Sequence, residues 1–167
     1  MIYAFDSYYF ADHVVTAAVT FSHWESGEVL EELTTRTPAA AEYVPGEFYK
    51  RELPGILSLL RPRDLSPHDL LIVDGYVFLD DAGAPGLGKH LYDALDGKIP
   101  VVGVAKKKFK TINEALREVR RGESERPLFV TAVGVDLDYA AGKVGGMAGA
   151  YRMPEMLKVV DRLGREG

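Results

Sequence analysis

Two acidic residues follow short apolar runs in this chain: Asp6 after Ile2-Tyr3-Ala4-Phe5, and Asp74 after Leu70-Leu71-Ile72-Val73. Carboxylates brought together at strand ends repel each other, and a divalent cation relieves that repulsion. Mg²⁺ is hard, prefers oxygen, and is commonly held by a few carboxylates plus substrate phosphates. Such a site can activate water and stabilise the leaving oxygen in phosphodiester hydrolysis. Taken alone, an Asp at a strand end is more often a turn-former or a helix cap. The glycine-rich loop Asp80–Gly88 (DDAGAPGLG) could cradle a phosphate with backbone N–H groups, or serve only as a crossover. It matches neither GxGxxG nor GxxxxGK[ST]. Lys106-Lys107-Lys108 directly follows another apolar run, which puts a compact phosphate-binding charge near a strand-end site, although a lysine triplet also suits a solvated face. His13, His23, His68 and His90 have no metal-ligand spacing, and Ser7 and Ser66 have no triad partners nearby. With no Cys in the chain, thiolate zinc sites, cysteine nucleophiles and disulfide scaffolds are excluded.

The elements that must position these residues read as a β-meander followed by alternating α and β. Strands are expected over Ile2–Phe5, His13–His23 and Glu28–Arg36, with a turn at Ser26-Gly27. Apolar residues recur at helical spacing from Phe48 to Leu60, with Pro54 as a kink or a second start. Buried strands follow at Leu70–Val73 and Ile99–Ala105, with a helix around Lys89–Leu95 between them. Thr111-Ile112-Asn113-Glu114 has capping-box spacing and predicts a helix to about Arg121. A last strand over Pro127–Val135, a short helix over Asp138–Val144 and a closing helix from Pro154 to Leu163 complete the order. The fold class is α/β: a mixed sheet flanked by helices in one domain spanning residues 1–167.

At 167 residues the chain can bury a core unaided. No apolar run approaches the roughly 18 residues of a membrane span, and the N-terminus lacks a signal-peptide pattern, so the expected compartment is the cytoplasm. A net charge of −5 argues against non-specific coating of nucleic acid. The charge is uneven: Lys106 to Arg126 holds eight Lys or Arg against four Glu, a local +4 on a body of −9.

Tyr43-Val44-Pro45-Gly46, then Phe48, Arg51-Glu52 and Pro54, resembles the YxPG…RExP signature of endonuclease V, the inosine-directed nuclease family. Further blocks follow in that family's order: Asp74-Gly75, Gly86-Leu87-Gly88-Lys89-His90-Leu91 (similar to GLASHL) and Val102-Gly103-Val104-Ala105-Lys106. Pro127-Leu128-Phe129-Val130 and Tyr151-Arg152-Met153-Pro154-Glu155 also look like family segments, so the resemblance spans roughly Asp6 to Asp161. It implies a ribonuclease-H-like fold and metal-dependent hydrolysis of DNA or RNA near a deaminated, inosine-like base, in the manner of a DNA repair nuclease. Asp6, Glu52 and Asp74 would hold Mg²⁺ or Mn²⁺, and Lys106 would contact the phosphate region. Tyr43, Val44 and Pro45 would form a strand-separating wedge filling the gap left by an extruded base. Gly46, Gly75 and Gly103 would border the base pocket, and Lys107 joins the nucleic-acid-binding set. The family works as a monomer.

The sequence departs from the family's pattern in three places. Thr131–Asp136 contains no histidine where the family has a GH pair, and Asp136 is the expected fourth oxygen ligand in its stead. Leu79-Asp80-Asp81-Ala82 replaces an HPR segment, and Lys110–Arg126 reads as helix where the family carries a Gly-rich strand pair. Two other functions fit the same residues: a non-catalytic nucleic-acid-binding homologue, and a hydrolase of a smaller phosphate compound.

Overall fold

The structure, a computed structural model, describes residues 1–39, 47 and 49–167. The meander expected at the start is β1 (Ile2–Tyr9), β2 (His13–Phe21) and β3 (Glu31–Pro38), all antiparallel. Strand β1 passes Asp6 and continues to Tyr9, because β2 pairs with it along its whole length, from Ile2 opposite Phe21 to Tyr9 opposite Val14.

Helix α1 (Tyr49–Leu60) crosses over to β4 (Leu70–Asp74), and α2 (Leu87–Ala94) crosses from β4 to β5 (Val101–Ala105). Strands β1, β4 and β5 are therefore parallel neighbours joined by helical crossovers. Pro54 lies inside α1 without ending it. It removes one intrahelical donor, and the carbonyl left over belongs to exposed Lys50.

The expected helix from Thr111 to Arg121 does not form. The backbone N–H groups of Asn113, Glu114 and Ala115 are instead capped by the Asp81 carboxylate, 2.9–3.2 Å away across the loop. The chain then extends into a short strand, β6 (Arg117–Val119), which pairs antiparallel with β7 (Leu128–Val133). Helices α3 (Leu137–Gly145) and α4 (Glu155–Glu166) follow.

One seven-stranded mixed sheet results, in the order β3-β2-β1-β4-β5-β7-β6. Side-chain alternation sorts its core into two layers. Tyr3, Phe5, Leu71, Val73 and Val101 meet Ile56, Leu59 and Leu60 of α1 and Leu87 and Leu91 of α2. Ala4, Ile72, Val102 and Val104 meet Ala140 and Val144 of α3 and Met156, Leu157 and Val160 of α4. Among the described residues no helix is long and apolar enough to cross a membrane.

Candidate active site

Ala4 is level with Ile72 across β1 and β4. Two residues on, Asp6 and Asp74 are level with each other on the same face, where β4 ends and β1 runs on. Val104 pairs with Asp74, so Lys106, just past β5, stands at the same sheet edge. Asp6, Asp74 and Lys106 line one depression of about 290 Å³ with Met153, Leu157, Val160 and Asp161. Asp6 and Asp74 also line a second, of about 180 Å³, with Ser7, Glu52, Ile56 and Leu87. The two strand acids thus stand between two helical layers. Glu52 reaches them from α1 on one face, and Asp161 from α4 on the other.

Asp161 is the acid at this edge that sequence reading missed. On an amphipathic helix an Asp followed by Arg reads as solvated surface. Only the docking of α4 across β1 and β2 turns it inward. The motif at Tyr151–Glu155 was the signal within reach, since it opens the helix that carries this acid.

The structure places Asp136 elsewhere. Strand β7 runs antiparallel to β5, with Val133 opposite Val101, so the chain beyond Val133 leaves at the edge opposite Asp74 and Lys106. There Asp136 caps α3, its carboxylate accepting from the Tyr139 N–H at 2.9 Å. That cap holds the expected fourth ligand at the far edge of the sheet, apart from Asp6 and Asp74.

The electrostatics of the acids follow from crowding. Burial first, then the charge of Asp74, then shared hydrogen bonds with Asp161 and Asp74, push the Asp6 carboxyl up to about 8 against the pull of the Ser7 N–H. Burial and Asp74 raise Glu52 to about 7, against the nearby Tyr9 hydroxyl and Arg51 charge. The Arg51 guanidinium lies 4.2 Å from the Tyr9 ring centroid, and Arg165 pairs with Asp161 at 3.1 Å. Four carboxylates, with burial and the charge of Asp74 disfavouring the ionised forms of Asp6 and Glu52, make an all-oxygen donor set of the kind that fits a hard divalent cation. Among the described residues no three His or acidic side chains are gathered tightly enough to enclose an ion on their own.

Gly103 and Gly75 act through the backbone. A Cβ on Gly103 would stand 2.5 Å from the Gly75 carbonyl and 2.7 Å from Thr131 Oγ1. Thr131 Oγ1 also accepts from the Val77 N–H at 2.8 Å, so the turn after Asp74 is pressed onto bare β5. Gly75 itself has φ +136, a conformation L side chains rarely adopt. Lys107 is exposed, and its carbonyl accepts from the Tyr76 hydroxyl at 2.5 Å. Tyr43, Val44, Pro45 and Gly46 lie outside the described residues. Asp80 and Asp81, in place of the HPR segment, are occupied by backbone N–H groups of their own and the neighbouring loop.

Both the sequence and the fold have known relatives. The family model for endonuclease V matches residues 1–134. The endonuclease V of Streptomyces avermitilis is 32% identical over 174 residues, covering 92% of this chain and 73% of the relative. The crystal structure of the endonuclease V from that organism superposes with a TM-score of 0.76 at 27% identity, covering 99% of this chain and 79% of that one. The Ciona intestinalis endonuclease V, crystallised with inosine-containing DNA, shares the fold with a TM-score of 0.81 at 22% identity, covering 99% and 83%. The ribonuclease-H-like mixed sheet expected from the motifs is the fold of these structures, and this chain belongs to the endonuclease V family of nucleases.

Proposed function

We propose that this protein is a Mg²⁺-dependent endonuclease, with Mn²⁺ as a substitute, that hydrolyses a phosphodiester near an inosine-like base in DNA or RNA. It works as a monomeric single domain in the cytoplasm. The observation that carries this reading is the gathering of Asp6, Glu52, Asp74 and Asp161 with Lys106 at one sheet edge, drawn from five separate elements and loops. Asp6 and Asp74 are the central metal-binding pair, with Glu52 and Asp161 completing the oxygen set from either side. A divalent cation bound there supplies a lowered water pKa and charge neutralisation at the phosphate. Lys106 holds a non-bridging phosphate oxygen, and Glu52 and Asp161 orient water and accept its proton. Gly75 and Gly103 shape the wall beside Asp74. Tyr43, Val44 and Pro45 wedge the strands, with Gly46 beside the base and Lys107 on the backbone. The inosine preference is supported by the Ciona relative, which was solved with inosine-containing DNA, and by the Tyr43–Glu52 signature.

The test is cleavage of labelled single- and double-stranded DNA and RNA, with and without inosine, in Mg²⁺ and in Mn²⁺, with Asp74→Asn as control. Metal-dependent cutting that disappears in the variant is expected, with inosine-bearing strands cut best. Cutting that persists in Asp74→Asn would show that the site lies elsewhere.

A further inference from the structure

Among the described residues Tyr151 is the most exposed large hydrophobic side chain, at 69%, and the Lys158 ammonium stands 4.3 Å from its ring centroid. The turn that presents it is held with unusual firmness. Arg121, only 4% exposed, donates to the carbonyls of Met147, Gly149, Tyr151 and Arg152 at 2.5–3.3 Å. All four of these acceptors are neutral, and burying a guanidinium among neutral partners is costly. What it secures is the shape of residues 147–152. Arg152 then donates to the carbonyls of Lys106 and Pro127, at 2.5 and 2.8 Å, which ties the same turn to the strand end bearing the active-site lysine. A rigid turn whose most prominent surface product is an open tyrosine ring is built as a platform.

Helix α4 carries a second pair of the same kind. Lys158, Asp161 and Arg165 are spaced i, i+3, i+7, so they share one stripe of the helix. At its far end the Arg165 guanidinium lies 5.3 Å from the ring centroid of Tyr8, 36% exposed. Tyr8 is two residues from Asp6 along β1 and so points to the same face of the sheet. Two exposed tyrosines, each paired with a cation from α4, thus bracket Asp161 over about 10 Å of helix. Arg165 also grips Asp161, so it links the stacking position to the carboxylates.

We infer that α4 is a track for single-stranded nucleic acid. The nucleotides on either side of the scissile phosphate stack on Tyr151 and Tyr8, and Lys158 and Arg165 hold the flanking phosphates. Arg121 and Arg152 are positioning residues that act through the turn. Aromatic rings alternating with cations bind single strands with little base preference, so the track supplies affinity while base choice lies elsewhere. This inference rests on the nuclease reading for where the scissile phosphate sits.

The test separates binding from turnover. In the Asp74→Asn background, Tyr151→Ala, Tyr8→Ala and the corresponding Phe variants are titrated with a fluorescent single-stranded oligonucleotide. A second set of oligonucleotides carries 2-aminopurine in turn at each nucleotide flanking the phosphate that the wild-type protein cuts and, where it cuts none, at each nucleotide around the inosine. Each Ala variant is expected to weaken binding roughly 5- to 100-fold, the size of one base–aromatic contact. Each should also abolish 2-aminopurine quenching at one flanking position, while the Phe variants keep both properties. Ala variants that bind and quench like their parent, with unchanged circular dichroism, would overturn the track, as would Phe variants that fail as badly as Ala. If the wild-type protein cuts nothing but the Asp74→Asn protein binds with these effects, the nuclease reading fails and the track stands. If no oligonucleotide binds at all, both fail.

Discussion

Asp6 and Glu52 carry folded-state carboxyls at about 8 and about 7, against ordinary values of 3.8 and 4.5. Groups raised in this way bind more protons folded than unfolded, so the stability they contribute is full below about pH 4 and is lost as pH rises through 7 to 8. The metal-free protein should therefore melt at progressively lower temperature from pH 5 to pH 9. In a domain of this size each kcal/mol lost moves the midpoint by about 2–4 °C. Adding Mg²⁺ should recover more at pH 9 than at pH 5, and Asp74→Asn, which removes a charge that raises both groups, should flatten the slope. Calorimetry across pH checks all three. Because binding the cation displaces these protons, apparent Mg²⁺ affinity should rise with pH by up to about tenfold per unit for each proton released. The fourth acid gives a second contrast. Asp161→Asn should remove most turnover while leaving the fold intact. Asp136→Ala should keep turnover and cost about 1 kcal/mol, the value of a helix cap. Parallel kinetics and urea titrations would reverse the assignment if Asp136→Ala proved the inactive one.

At the scale of elements, the backbone of the site depends on close approaches that a single methyl group would break. Gly103→Ala should destabilise the protein by about 1–3 kcal/mol, the usual range for overpacking. It should also lower kcat by displacing the turn after Asp74. A variant with wild-type kcat and melting temperature would show that the turn has room. Arg121→Met removes the buried donor to the carbonyls of Met147, Gly149, Tyr151 and Arg152 and should cost roughly 1–3 kcal/mol, with Arg121→Lys recovering part of it. What was legible in the sequence follows the same division. The parallel strands at Leu70 and Val101 and the acids at their ends could be read because burial leaves continuous apolar runs. The β6 strand was hidden behind a capping-box spacing at Thr111–Glu114. The N–H groups of Asn113, Glu114 and Ala115, just before it, are capped from Asp81, some 30 residues away in sequence, and no local pattern shows that. Asp136 was misplaced because nearness in sequence to a buried strand says nothing of that strand's direction. Pairing of Val101 with Val133 decides it.

At the scale of the whole molecule, the net charge of −5 disfavours non-specific binding of nucleic acid, while Lys106 lines the site and Lys107 and Lys110 are exposed just after it in sequence. Part of the basic segment is turned to internal use: Arg121 is buried, Arg117 pairs with Asp138, and Lys108 bonds its own loop. Few phosphates are therefore neutralised. The logarithm of affinity for a single strand should fall against the logarithm of salt with a slope of about −2 to −3, as for three or four contacts. Fluorescence anisotropy between 50 and 300 mM salt measures it, and a slope beyond about −6 would require a far larger basic footprint than this surface offers.

The docking of α4 across β1 and β2 also sets an order in time. Asp6, Glu52 and Asp74 leave the ribosome well before Asp161, and until the last helix settles, the face of β1 beside Asp6 has no cover and its acids lack their fourth partner. A growing chain thus holds the Asp6, Glu52 and Asp74 side of the cluster before the Asp161 side, and the docking of α4 both covers that face of the sheet and completes the group of acids.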